Sequence, residues 1–153
     1  NTISEVHTPT YSFEIPASPH FAASTEGRNI QLDQIKIPAT KNTLIVEGAG
    51  GLLVPLNKKD LVIDLILQMN TPVIVVVKNY LGAINHTLLS IEALNQRGIQ
   101  IAGIIYNGGT RAENIVVIES LTGVPTLGII PELEVINKET ITKEAAKFAG
   151  LKL

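Results

Sequence analysis

The sequence predicts an α/β fold built on a mostly parallel, doubly wound sheet. Three observations carry that prediction. Apolar runs at Leu44–Val46, Val73–Val77, Ile101–Tyr106 and Thr126–Ile130 read as strands, and the first two are unbroken enough to be buried on both faces. The stretches between the later runs carry apolar residues at helical spacing. The connections are short, and strands alternating with helices over short links indicate parallel βαβ units.

Each element has its own local reason. Residues 1–16 show no helical period, although Tyr11, Phe13 and Ile15 alternate with polar residues and allow a short extended piece. Ser18-Pro19-His20 reads as a helix start, with serine as cap and proline at the first helical position. That helix runs from Phe21 to Glu26 and stops at Gly27. Ile30, Leu32, Ile35 and Ile37 fit a short helix or an irregular link, closed by Pro38. Leu52–Leu56 is a second apolar patch, broken by Pro55. Asp60–Met69 is a helix with Leu61, Leu65 and Met69 on one face, and Asn70 and Pro72 end it. Val73–Val77 is nothing but β-branched residues, which pack well in a buried strand. Ile84–Arg97 is the next helix, stopped by Gly98. After the strand Ile101–Tyr106 the chain turns at Asn107-Gly108-Gly109, and a helix from about Arg111 stops at Gly123. Pro131 closes the strand Thr126–Ile130, and Thr140–Ala149 is a last helix ending at Gly150.

Bulk composition narrows the function classes. The 153 residues fit one domain, spanning 1–153, with a sizeable core. Apolar residues make up 45% and charged ones 17%, and the net charge is −2 with no long block of one sign. That is neither a disordered nor a nucleic-acid-coating composition. With no cysteine, disulfides and thiolate metal sites are excluded, which fits a reducing, cytoplasmic setting. No apolar run reaches membrane-spanning length, and no signal peptide is visible. The start at Asn1 rather than Met suggests a fragment, a processed product or an unobserved start.

The chemistry concentrates at strand ends. In a parallel sheet, ligands bind beyond the carboxyl ends of strands. Thr43–Val46 ends on Glu47, followed by Gly48-Ala49-Gly50-Gly51, a backbone that a phosphate can approach closely. Glu47 is therefore a candidate for holding a hydrated Mg²⁺ beside nucleotide phosphates. The alternative is a tight turn in which Glu47 caps a later helix. The other strand ends carry Lys78-Asn79-Tyr80, Asn107-Gly108 and Ile130-Pro131. Leu81-Gly82-Ala83-Ile84-Asn85-His86 puts small residues and an amide at a helix start, where free N–H groups and the helix dipole favour a carboxylate or phosphate. The alternative there is a plain Gly-Ala entry with Asn85 bonding the local backbone. Asn107 has an amide suited to reading a base, although Asn-Gly is first a turn signal. His7, His20 and His86 show no metal-ligand spacing and read as structural or exposed. No serine or threonine lies in a nucleophile-elbow pattern.

Together these stretches resemble the dethiobiotin synthase (dethiobiotin synthetase) family. The resemblance is carried by Pro16-Ala17-Ser18-Pro19-His20 with Glu26-Gly27, by Val46-Glu47-Gly48-Ala49-Gly50-Gly51, and by Val73–Val77. It continues through Leu81-Gly82-Ala83-Ile84-Asn85-His86-Thr87 and Gly103–Asn107 to Leu127-Gly128-Ile129-Ile130-Pro131. It implies a P-loop NTPase-like fold and a homodimer. The implied reaction is ATP-dependent: 7,8-diaminononanoate takes up CO₂ as a carbamate, ATP phosphorylates the carbamate, and the second amine closes the ureido ring of dethiobiotin. By position, Glu47 is then a Mg²⁺ ligand, and Glu47, Gly48, Ala49 and Gly50 lie beside the ATP phosphates. Asn107 and Gly108 contact adenine, as does the backbone of Ile129, Ile130 and Pro131. Leu81, Gly82, Ala83 and Asn85 hold the substrate carboxylate across the dimer interface.

The departures from the family set further expectations. No Gly-x-x-x-x-Gly-Lys-Thr loop occurs in the chain, so the P-loop strand and helix belong to a missing amino-terminal part. The catalytic lysines and the metal-binding aspartate would belong there too, and no catalytic residue is assigned here. Lys78 does not match a family lysine. The expectation is an incomplete sheet with an exposed apolar edge, in a chain inactive on its own. The alternative function is a non-catalytic, synthase-like regulatory or nucleotide-binding domain.

Overall fold

The computed structural model describes residues 5–109 and 111–151. The chain forms two compact units, dividing between Met69 and Asn70.

The first unit holds helix α1 (Pro19–Thr25), a 3-10 turn (Leu32–Gln34) and helix α2 (Val62–Met69). Pro19 opens α1 as its sequence predicts, and the Ser18 carbonyl accepts the Phe21 and Ala22 N–H groups. The Ser18 side chain makes no capping bond, so serine acts there through its backbone alone. Ala23, Ile30, Leu56 and Val62 form the core, with Tyr11, Phe13 and Leu65 packed against it. Tyr11 and Phe13 stack at 6.3 Å, and the Arg28 guanidinium lies 5.6 Å and 4.9 Å from their centroids. The residues 30–38 resolve as the 3-10 turn and irregular chain.

One expectation is corrected here. Thr43–Glu47 is not a strand in the structure. Ile45 is 88% exposed and Val46 53% exposed, so the run is not buried on both faces. A strand exists by its ladder, and among the described residues this segment has no ladder partner. Leu52–Leu56 instead folds back on itself: Leu56 N–H donates to the Asp60 carbonyl (2.9 Å), and Pro55 and Leu61 form an isolated antiparallel bridge.

The second unit is a three-stranded sheet in the order β1 (Val73–Lys78), β2 (Ile101–Asn107), β3 (Thr126–Ile130). All pairings are parallel, as predicted. Helices α3 (Ala83–Asn95) and α4 (Ala112–Thr122) connect the strands, and α5 (Lys138–Ala146) follows. Val77, Ile91, Ile104, Tyr106, Ile118 and Val124 make the core. Ile104 is completely buried, and burying one such side chain contributes roughly 1.5–3 kcal/mol. β1 is an edge strand of this sheet and leaves Val76 63% exposed. Among the described residues, no helix is long and apolar enough to cross a membrane.

Candidate functional site

In the first unit the Glu47–Gly51 loop is held by close packing. A Cβ at Gly48 would come 3.0 Å from Val62 Cγ1, and one at Gly50 would come 2.9 Å from Val54 Cγ2. Gly50 also has φ +84, in the left-handed region that other residues resist. The chain beyond the loop is fastened by Val54 N–H to Gly51 O (3.1 Å), Val62 N–H to Val54 O (3.0 Å) and Ile63 N–H to Leu52 O (2.8 Å). Glu47 is exposed, and its carboxylate makes no hydrogen bond among the described residues. The capping alternative therefore has no bond behind it; Asp64 does that work, accepting the Leu61 N–H at 2.8 Å. Glu47, Gly48 and Ala49 form part of the wall of a cleft of about 1110 Å³, whose apolar lining includes Phe13, Ile35 and Leu44.

In the second unit the strand ends meet as the parallel topology requires. Lys78 is in register with Asn107, and Asn107 with Ile130. Gly108 N–H donates to the Ile130 carbonyl at 2.9 Å. Asn107, Gly108, Ile129, Ile130 and Pro131 thus share one edge of the sheet, with Asn107, Ile129 and Pro131 exposed. The edge is braced from the side, because Asn114 Nδ2 on α4 donates to Asn79 Oδ1 at 2.8 Å.

Leu81–Asn85 forms the turn into α3. Gly82 has φ +99, which only glycine adopts freely, and it occupies the N-cap position. Ala83 is buried, while Leu81 and Asn85 are exposed. Ala83 N–H donates to Tyr80 O (3.0 Å) and His86 N–H to Gly82 O (3.1 Å). Ile84 and Asn85 N–H keep no backbone partner among the described residues, the usual orphans of a helix start. The Asn85 side chain makes no hydrogen bond among the described residues either, so its local-backbone alternative is unsupported.

Three polar contacts escaped the reading of the sequence. Tyr80 Oη lies 2.5 Å from His86 Nδ1. The Asn79–Asn114 pair joins residues 35 positions apart, beyond any local pattern. Behind β2 and β3, Glu119 accepts the Thr126 N–H at 2.7 Å. The Thr126 hydroxyl and that N–H hold the Glu119 carboxyl below its ordinary range. The hydroxyl falls short of full hydrogen-bond geometry, so the amide is the firm contact. Burial, and then the Glu119 charge, pushes the Tyr106 hydroxyl up. Among the described residues no group of His, Asp and Glu side chains is arranged to hold a metal by itself.

A sequence family described as "AAA domain" matches residues 1–140. The ATP-dependent dethiobiotin synthetase BioD of Cytophaga hutchinsonii is 45% identical over 144 residues, covering 94% of this chain and 70% of that protein. The protein of the same name from Rhodopseudomonas palustris is 41% identical, over 86% of this chain and 63% of its own length. The biotin biosynthesis bifunctional protein BioCD of Bordetella avium is 40% identical, over 89% of this chain and 29% of its own length. The chain therefore spans about two thirds of the single-function relatives. With a parallel sheet, a glycine loop after Glu47 and this similarity along nearly its whole length, the chain belongs to the ATP-dependent dethiobiotin synthetase family, within the AAA domain family.

Proposed function

We propose that the protein carrying this chain makes dethiobiotin from 7,8-diaminononanoate, CO₂ and ATP. The observation that carries the reading is the 45% identity, over 94% of the chain, to a relative named for that activity. One amine of the substrate takes up CO₂ as a carbamate. Phosphoryl transfer from ATP to a carbamate oxygen makes phosphate the leaving group. The second amine then attacks the carbonyl carbon, phosphate departs, and the five-membered ureido ring closes. Such chemistry asks the protein chiefly to position the partners and neutralise charge.

This chain's part is binding and orientation. Asn107 and Gly108, with the backbone of Ile129, Ile130 and Pro131, form the adenine edge; one shared strand register supports their acting together. Glu47, Gly48, Ala49 and Gly50 face the phosphates. An exposed carboxylate on this cleft suits the way Mg²⁺ is commonly held, through one or two carboxylates, waters and substrate phosphates. When bound, Mg²⁺ supplies charge neutralisation at the phosphates. Leu81, Gly82, Ala83 and Asn85 take the substrate carboxylate, for which the free Ile84 and Asn85 N–H groups provide donors. In this reading the two units are parts of one domain, the enzyme is a cytoplasmic homodimer, and the turn serves the partner's site.

The test is turnover of 7,8-diaminononanoate with Mg-ATP and bicarbonate by the complete protein, reading dethiobiotin by mass and ADP by a coupled assay. Both products should appear in equal amounts. ADP without dethiobiotin, or ATP binding without either product, overturns the proposal.

A further inference from the structure

We infer that Tyr80 and His86 are positioning residues that hold the Leu81–Asn85 turn ready for the substrate carboxylate, an inference that rests on the carboxylate reading just given. The two residues flank the turn in sequence, and their side chains meet. Tyr80 Oη and His86 Nδ1 are 2.5 Å apart, with ring centroids at 5.7 Å and planes inclined by 38°. With the proton on Nε2, the hydroxyl donates to Nδ1. The backbone repeats the same closure, since Tyr80 O receives the Ala83 N–H and Gly82 O the His86 N–H. The imidazole edge also lies beside Gly82, where a Cβ would be 3.8 Å from His86 Cε1.

Core packing does not explain this pair. Tyr80 is 52% exposed, and His86 is exposed as well. At the turn's centre Leu81 is fully exposed, and Gly82 is the residue with the widest conformational choice. Without a fastening, the turn would pay for its order each time a ligand bound. The ring pair ties its two ends together, so that the Ile84 and Asn85 N–H groups keep one direction before the ligand arrives. Preorganisation of this kind improves affinity by lowering the ordering cost. It acts equally on bound substrate and transition state, so it belongs in KM rather than kcat.

In the complete enzyme, Tyr80→Phe and His86→Leu should each raise KM for 7,8-diaminononanoate by about fivefold, the factor equivalent to one net hydrogen bond of about 1 kcal/mol. kcat at saturating diamine and KM for ATP should stay the same. His86→Asn, whose amide can reach the Nδ1 position, should restore most of the loss. The double variant should lose about fivefold rather than the product of two losses, since both changes break one contact. A fall in kcat at saturating diamine, multiplied losses, or no loss at all would overturn the inference. A comparison with the same diamine lacking its carboxylate separates the two layers. If Asn85→Ala and Tyr80→Phe both erode the preference for the carboxylated substrate, both layers stand. Erosion by Asn85→Ala alone defeats the role of the pair and keeps the turn as carboxylate site. If neither change erodes the preference, the carboxylate reading itself fails.

Discussion

Gly50→Ala should destabilise the protein by roughly 1–4 kcal/mol, for two separable reasons. The residue holds φ +84, and an L side chain in that region costs roughly 1–2 kcal/mol. The new methyl would also meet Val54 Cγ2 at 2.9 Å, with Val54 Cβ and Cγ1 at 3.7 Å and 3.8 Å. Valine is stiff at χ1 and cannot swing away freely, and overpacking of this sort typically costs about 1–3 kcal/mol. A gain of roughly 0.4–1 kcal/mol, from the reduced freedom of the unfolded chain, offsets part of the sum. Gly51→Ala is the matched control one residue on, where a Cβ meets nothing within 4 Å and no left-handed backbone is needed. Its effect should stay within about 0.5 kcal/mol.

Urea unfolding followed by circular dichroism measures this directly. With a slope of about 2 kcal/mol per M, the Gly50→Ala midpoint should fall by about 0.5–2 M, and the Gly51→Ala midpoint should barely move. Adding Val54→Ala removes the clash but leaves the backbone strain. The double variant should therefore be more stable than the two single losses predict, by about 1–3 kcal/mol. Equal midpoints for the two glycine variants would refute both arguments. Strict additivity with Val54→Ala would refute the clash and leave the strain.

Three further outcomes follow from the site and its surroundings. Glu47→Gln should raise the Mg²⁺ concentration for half-maximal turnover by roughly tenfold or more, the loss of one charge-assisted contact; an unchanged Mg²⁺ titration removes Glu47 from the metal. Asn107→Ala should raise KM for ATP by about tenfold and narrow the preference for ATP over GTP, with KM for the diamine unmoved; equal loss for all nucleotides would deny base reading. Glu119 binds its proton less readily folded than unfolded, because Thr126 holds the ionised form. Its contribution is complete above the ordinary carboxylate range and is lost as pH falls through the lowered folded value. The urea midpoint should therefore drop more between pH 7 and roughly pH 3 in the native protein than in Glu119→Gln, and parallel drops would contradict the assignment.

How much was legible depended on how local the cause was. The β-branched run Val73–Val77, the glycine stops at Gly27, Gly98 and Gly123, and Pro19 at a helix start act within a few residues, and each marks its element to within a residue or two. The meeting of Asn107 with Ile130 is longer in range but follows from topology: parallel strands bring their carboxyl ends to one edge. The polar partners that fasten helices to the sheet were not legible, because Asn79–Asn114 and Glu119–Thr126 depend on where a helix comes to rest beside it. Tyr80 and His86 are only six positions apart, yet their contact needs the left-handed turn at Gly82 that separates them.

Leu44–Val46 and Val73–Val77 look alike in hydropathy and behave differently. Apolarity reports an inclination to be buried, whereas a strand also needs a neighbour to complete its ladder. Val73–Lys78 has β2 beside it, with Val75 opposite Ile104 and Lys78 opposite Asn107. Thr43–Glu47 has no such neighbour among the described residues, and Ile45 and Val46 face solvent. The two groups of proposed nucleotide residues therefore depend on different physics. Asn107 is aimed by ladder bonds on both sides, to β1 and to β3, which tolerate changes of side chain. Glu47 is aimed by the loop that follows it, through the approach of Gly48 to Val62 and of Gly50 to Val54, where a single methyl meets an occupied space. Substitutions near Asn107 should act mainly through the side chain removed, whereas substitutions in the Glu47 loop should act through the backbone they displace.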